Sequence, residues 1–332
     1  MTTTQPIPDT ADDMADAAQA RIPAPAATGP QLAVTHEVGS CVSVSTAGVE
    51  LLRYTYSPRI PAFECPAPYF HPLRDLAGEV VTGNRPHDHL WHKGLAMTAS
   101  HLSGGNFWGG GSYTPGAAGS GYQDLPNVGS LRHKGFEELT TSGDTLRLVE
   151  RIDWVNAEQE RWIDEHRTLV VGDVDPTSAS WSLEFTTELT NVRGAVLEFG
   201  SPTVFGRELA GYCGLFWRGP REFTGGTVLG SGGQSGPGLM GKRSDWLAFV
   251  GRHDGSNGVS TLLFDQDPGN ADAPAHWFVR TEPIPVVNPS LAFFDGLELA
   301  AGQTLRRRYR LVVAARAWDA EQVEAYRETH PW

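Results

Sequence analysis

The chain has 332 residues, with 26 Lys and Arg against 39 Asp and Glu; the resulting formal net charge of −13 repels phosphate backbones and argues against a nucleic-acid partner. Its 40% hydrophobic residues are ample for a packed core, and 38 Gly with 23 Pro imply many turns, which favours β-structure over helix bundles. No apolar run approaches the roughly 20 residues that span a bilayer, and the first residues have neither a basic nor an apolar signal region, so the expectation is a cytoplasmic protein without a membrane partner.

Residues 1–30 are rich in Ala, Pro, Thr and Asp with no sustained apolar period, a composition expected to stay unstructured. From Leu32 onward short strand-like runs recur, bounded by Gly, Pro, Asn or Asp: LAVTHEV, VSVSTAG, VELLRYTYS, then TLRLVERIDWVN, ERWIDEHRTLVV and SWSLEFTTELTNV. In WSLEFTTELT, Trp181, Leu183, Phe185 and Thr187 fall on one face, while Ser182, Glu184, Thr186 and Glu188 fall on the other. Such half-buried strands need two sheets to bury one face of each. The later runs DWLAFVGRHDG, VSTLLFDQ, HWFVRT, SLAFFDGLELAAG and TLRRRYRLVVAARA repeat the pattern, and a turn at Gly302 is expected to join the last two strands in a hairpin. Only AWDAEQVEAYRETHPW reads as helical, with Asp319 placed to cap it. No βαβ rhythm appears. The prediction is an all-β protein: one large antiparallel β-sandwich over residues 31–332, closed by a short C-terminal helix.

Cys41, Cys65 and Cys213 are odd in number, far apart and without CxxC spacing; they read as small buried hydrophobes in a reducing compartment.

The densest collection of unusual residues is GEVVTGNRPHDHLWHKGLAMTASHLSGGNFWGGGSY, where His87, His89, His92 and His101 fall within 15 positions. In an extended segment His87 and His89 share a face, and His92 joins them across a turn or bulge. Converging imidazoles can ligate a divalent metal or act as acid and base near neutral pH. Asp88, Glu79 and the remote Glu165 are candidate carboxylates. In NFWGGGSY, Trp108 stands beside glycines that let a ring and a backbone approach a ligand, as a sugar platform does, although a ring that plugs the core reads the same. GYCGLFWRGPREF offers Tyr212, Trp217 and Arg218, and HWFVRTEP offers Arg280, the arginines being forks for carboxylate, keto or hydroxyl oxygens or, equally, surface ion-pair partners. In ERWIDEHRTL, Glu165 and Arg167 face one way and His166 the other, so Glu165 is a candidate general base oriented by Arg167.

Taken together, PYFHPLRDLAGEVVT, RPHDHLWHKGL, NFWGGGSY, RHKGF, EHRTL, GLFWRGP and the run from HWFVRTEP to RRRYRLVV resemble the DUF6807 family, also called PmoA-like, over about residues 35–318. The family's His segment reads close to DHPHHRGL; Asp88, His89, His92, Gly94 and Leu95 match it, while Trp91 stands where a second histidine is common, which counts against a three-histidine metal site. His133, Glu165, Trp217 and Arg218 also fall on family motifs and are implied as site residues, whereas the membership of His87 and His101 stays open. The resemblance implies a galactose mutarotase-like supersandwich and a role in carbohydrate catabolism; the methane label is not carried over to an acidic chain without spanning segments.

The functional expectation is a carbohydrate-active enzyme acting on a glycoside or an oxidised (keto) sugar by hydrolysis, elimination or epimerisation. Its acid and base groups would be His89, His92, His133 and Glu165, and its substrate platform Trp108, Tyr212, Trp217, Arg218, Arg167 and Arg280. No cofactor is identified, a divalent metal on His89 and His92 being the one candidate. The alternatives are a non-catalytic carbohydrate-binding or accessory protein of a sugar oxidoreductase and, third, a metal-dependent oxygenase. The partner is a small sugar or glycoside, and a homo-oligomer stays open.

Overall fold

The computed structural model describes residues 30–116 and 121–332; the segment expected to be unstructured lies, but for Pro30, outside the described residues. Two antiparallel sheets make an all-β sandwich. The first sheet runs in hydrogen-bonded order through Leu32–Glu37, Cys41–Thr46, Val49–Thr55, Tyr69–Leu73, Leu95–Leu102, Cys213–Arg218, Val286–Ser290 and His276–Arg280. Three short strands lie off this path: Gly105–Phe107 and Leu197–Gly200 pair with Leu95–Leu102, and Leu297–Leu299 pairs with Leu197–Gly200. The second sheet runs Thr227–Gly230, Trp246–Arg252, Val259–Gln266, Thr304–Ala314, Ser180–Asn191, Arg161–Asp175, Thr145–Val155 and Ser130–Ser142.

Alternation decides what each face meets. In Ser180–Asn191 the residues Trp181, Leu183, Phe185, Thr187 and Leu189 are buried, while Glu184 and Glu188 point outward to Arg308, Arg310 and Arg306. One apolar core joins the sheets: Phe70 of the first packs edge-on against Phe185 of the second, and Trp217 packs against Phe249 and Phe264. Cys41, Cys65 and Cys213 are all buried free thiols, as expected. Burial pushes the Cys65 and Cys213 thiols up to about 11 and about 12, so neither is a thiolate near neutral pH.

The helix Ala320–Thr329 begins with the expected cap: the Asp319 side chain accepts from the Gln322 amide, and the Gln322 side chain accepts from Asp319. Its Val323 and Tyr326 cover Trp246, Ala248, Leu263 and Val312 on the outer face of the second sheet. No helix among the described residues is long and apolar enough to cross a membrane.

The hairpin expected at Gly302 does not form. Gly302 is a left-handed turn residue, but the strand before it, Leu297–Leu299, pairs with Leu197–Gly200 in the first sheet, while the strand after it, Thr304–Ala314, enters the second. The turn therefore crosses between layers.

Candidate functional site

Strand Cys213–Arg218 shows how the first sheet divides its labour. Cys213, Leu215 and Trp217 enter the core between the sheets, so Gly214, Phe216 and Arg218 lie on the opposite, outer face. The same alternation puts Trp277 and Val279 in the core and Phe278 and Arg280 outside. Phe216, Phe278 and Val286 give that outer face an apolar floor, against which Trp108, Tyr212 and Phe293 pack.

The histidine segment is a loop over this floor, not the extended strand expected from its spacing. Asn84 and Lys93 bridge its ends, and successive turns close between Pro86 and His89 and between His89 and His92. Its base is fixed from below. The Lys93 ammonium is buried and donates to the Glu64, Cys65 (3.1 Å) and Trp91 (3.3 Å) carbonyls, while Arg85 forks onto Glu64 at 2.7 and 2.8 Å. Gly94 is required where the loop re-enters the sheet, because at φ +41° a Cβ would lie 1.9 Å from the Phe70 carbonyl oxygen. His87 points to solvent on this loop, and His101 lies away from it against Phe205, with ring centroids 4.3 Å apart.

The turns bring His89 and His92 together, with ring centroids 4.7 Å apart and planes tilted by 42°, and set His92 against Phe216 (5.1 Å) and Trp108 (5.4 Å). Trp108 is held by Asn106, whose carbonyl accepts from the Trp108 and Gly109 amides at 2.9 Å and whose amide donates to Gly110 and Ser112 at 3.1 Å. The result is a cavity of about 280 Å³ lined by His89, Trp91, His92, Trp108, Tyr212 and Phe216, with Tyr122, Arg207, Phe278, Arg280, Ile284 and Val286 completing the wall. No Asp or Glu lines it among the described residues.

His92 is buried, its Nδ1 has no hydrogen-bond partner, and burial, with the positive charges of His89, Arg218 and Lys93, holds its pKa well below the ordinary value. It is a neutral imidazole at pH 7. His89 is more open, its Nδ1 lying 3.2 Å from Asp88 without hydrogen-bond geometry. Arg218 is wholly buried and none of its three guanidinium nitrogens has a partner; burial pushes it down to about 10. On the opposite wall Arg207 donates to the Tyr122 hydroxyl, which pairs with that of Tyr212.

The remaining predicted residues, Arg218 among them, do not line this cavity. Glu165 and Arg167 share a face, as expected, but that face is the interior between the sheets. Glu165 accepts from Arg167 (2.8 and 3.0 Å), Thr187 (2.9 Å) and the Trp154 indole (2.7 Å), so its carboxylate is presented to no cavity. Arg167 also donates to Tyr54 (2.9 Å), Tyr54 donates to Glu150, and Glu150 pairs with His133 Nδ1 at 2.5 Å. Burial alone would lower the Arg167 pKa, yet Glu165, Tyr54 and Glu150 hold it above the ordinary value. Trp217 is a core residue whose indole donates to the Val81 carbonyl at 2.9 Å.

Metal binding is not favoured by this donor set. Among the described residues no three His, Cys, Asp or Glu side chains gather as a ligand group, and His89 and His92 make only a pair. Sequence reasoning missed Tyr122, Arg207, Ile284 and Val286. The loop residues Arg207 and Ile284 carry no periodic signal, Tyr122 sits in a strand of only three residues, Gly121–Gln123, and Val286 in a strand reads as core.

A family model described as a family of unknown function, DUF6807, matches residues 41–328. No curated protein matches the chain. Among solved structures it is similar to the GH36 α-galactosidase AgaA of Geobacillus stearothermophilus at 9% identity and a TM-score of 0.36, covering 86% of this chain and 41% of that one. It is also similar to the α-galactosidase of Lactobacillus brevis, at 8% identity and a TM-score of 0.36, covering 86% and 40%. A GalM/aldose epimerase homologue from C. elegans matches at 7% identity and a TM-score of 0.31, covering 87% of this chain and 100% of that one. The chain thus spans about two fifths of the length of the α-galactosidases it matches.

Proposed function

The chain belongs to DUF6807, a family of unknown function, and we propose that this member acts on an oxidised (keto) sugar by moving a proton at the carbon beside the carbonyl, with epimerisation or elimination as the outcome. The observation that carries this reading is His92: a neutral, buried imidazole with an unpartnered nitrogen, set on the cavity wall against the aromatic rings of Trp108 and Phe216. Such an imidazole is a base at neutral pH. His92 takes the proton from carbon, the C–H electrons form a carbon–carbon double bond, and the carbonyl electrons move onto oxygen. Arg218, which does not line the cavity, favours the developing negative charge only at longer range, as its effect on His92 shows. Return of a proton from water to the other face gives the epimer, since His89, at 4.7 Å between ring centroids, leaves no room for a substrate carbon between it and His92; departure of a β-substituent as the enolate collapses gives the eliminated product. Hydrolysis has less support, since the two-carboxylate mechanism needs acids roughly 5–9.5 Å apart and none lines the cavity among the described residues.

The test is deuterium entry beside the carbonyl, followed by NMR, when a panel of keto-sugars is incubated with the protein in D2O. The wild type is expected to exchange that hydrogen and His92→Gln to do so about 10²–10⁴-fold more slowly; equal rates in the two proteins overturn the assignment. The aromatic wall also suits a non-catalytic sugar-binding protein. Calorimetric sugar binding without any deuterium entry would establish that reading instead.

A further inference from the structure

Arg207 and Arg280 stand on one wall of the cavity, and neither has an ion-pair partner among the described residues. They are close enough to repel: burial and then the charge of Arg207 push the Arg280 guanidinium below its ordinary value. Elsewhere, Arg218 apart, the chain neutralises its buried arginines. Arg167 is forked onto Glu165, Arg307 lies 2.9 Å from Asp272, and Arg310 lies 3.0 Å from Glu184. In a protein with a net charge of −13, acids to pair Arg207 and Arg280 are not scarce, yet no Asp or Glu lines this wall. Arg207 rests on the Tyr122 ring and Arg280 on the Phe278 ring, with 4.9 and 5.2 Å to the centroids, which holds the guanidinium planes without neutralising them. Two oriented, unneutralised forks, half-buried at the rim of a largely apolar pocket, make an oxyanion receptor.

Their position relative to the base sets the ligand's layout. Arg218 and Arg280 both stand opposite Val286 on the two neighbouring strands, so their backbones are two strand spacings, about 9.5 Å, apart. One cation lies at the His92 end and the other faces Arg207.

Resting on the assignment of this cavity as the sugar site, we propose that its substrate is an anionic sugar, bearing a carboxylate or phosphate that Arg280 and Arg207 grip at the end of the cavity remote from His92. The global negative charge slows capture of such a ligand, and the local arginine pair compensates at short range.

Calorimetric titration of the full chain with D-glucose, D-glucuronate, D-gluconate and D-glucose 6-phosphate tests this directly. At least one anion is expected to bind tenfold or more tighter than D-glucose, and the preferred anion separates a carboxylate from a phosphate source. Arg280→Gln should weaken that anion about 10–100-fold, the scale of a lost charge-assisted pair, while leaving D-glucose within about twofold. Arg280→Lys should keep part of the preference, and its thermal melt controls for folding. No preference for any anion, or a preference that Arg280→Gln and Arg207→Gln both leave intact, overturns the proposal. His92→Gln separates the two readings, because it should abolish exchange while preserving the anion preference.

Discussion

Two polar clusters containing histidine stand on opposite sides of the first sheet, and they differ in how their charges are settled. Between the sheets, Glu150, Glu165, Arg167, Tyr54 and His133 form a closed chain in which each side chain is hydrogen-bonded to the next. On the outer face, His92 Nδ1 and all three Arg218 nitrogens lack a partner, and Arg207 and Arg280 face each other uncompensated. A buried polar group without a partner costs stability, so a fold keeps one where a ligand completes it. The closed chain reads as architecture and the open one as a receptor, although both fall on family motifs.

The comparison breaks most sharply at Arg167. Replacing it by Met strands the buried Glu165 carboxylate and should cost about 3–5 kcal/mol in urea unfolding, with deuterium exchange by the folded fraction retained. Stability left intact with exchange lost would move the active site into the sandwich. Trp217→Phe removes the indole donor to Val81 and should cost about 1–3 kcal/mol, with sugar binding by calorimetry unchanged; lost affinity instead would restore Trp217 to the platform.

The smallest effect is one of pH. Burial, then the charges of Arg74 and Arg53, push His71 down to about 4, and His92 is held well below its ordinary value. Both stay neutral when folded, whereas the unfolded chain takes up protons below about 6.5. Their contribution is therefore complete above that pH and is lost as pH falls toward the folded values. The Tm should drop between pH 7 and pH 5, and drop less in His92→Gln. An equal drop would show that the fold does not hold His92 neutral.

Much of the fold was legible because period-two alternation reports burial directly: the inward set Trp181, Leu183, Phe185 and Thr187 and the cap at Asp319 are as read from the chain. The alternation at Glu165, His166 and Arg167 was legible too. What it could not convey is which buried space the inner face meets, since a satisfied ion pair between sheets and a catalytic carboxylate have the same pattern. The Gly302 hairpin failed for a related reason, because a turn signal does not say whether the chain returns to the same sheet. Of the site, His89, His92, Trp108, Tyr212 and Arg280 were found by residue type and lie together on the cavity wall. Tyr122 and Arg207 were not, because a three-residue strand, Gly121–Gln123, and a loop converge in space without leaving a period in the chain.

Strand Cys213–Arg218 ties the two clusters to one reading frame. Its odd positions build the core and its even positions build the floor beneath the ligand, so a single inserted or deleted residue would turn Trp217 out to the floor and drive Phe216 and Arg218 into the apolar interior. Change in this strand is thereby confined to substitution. Diversification of ligand choice within the family should accumulate instead in the surrounding loops, where Arg207 and Ile284 reside, and those loops can lengthen or shorten without exchanging the two faces.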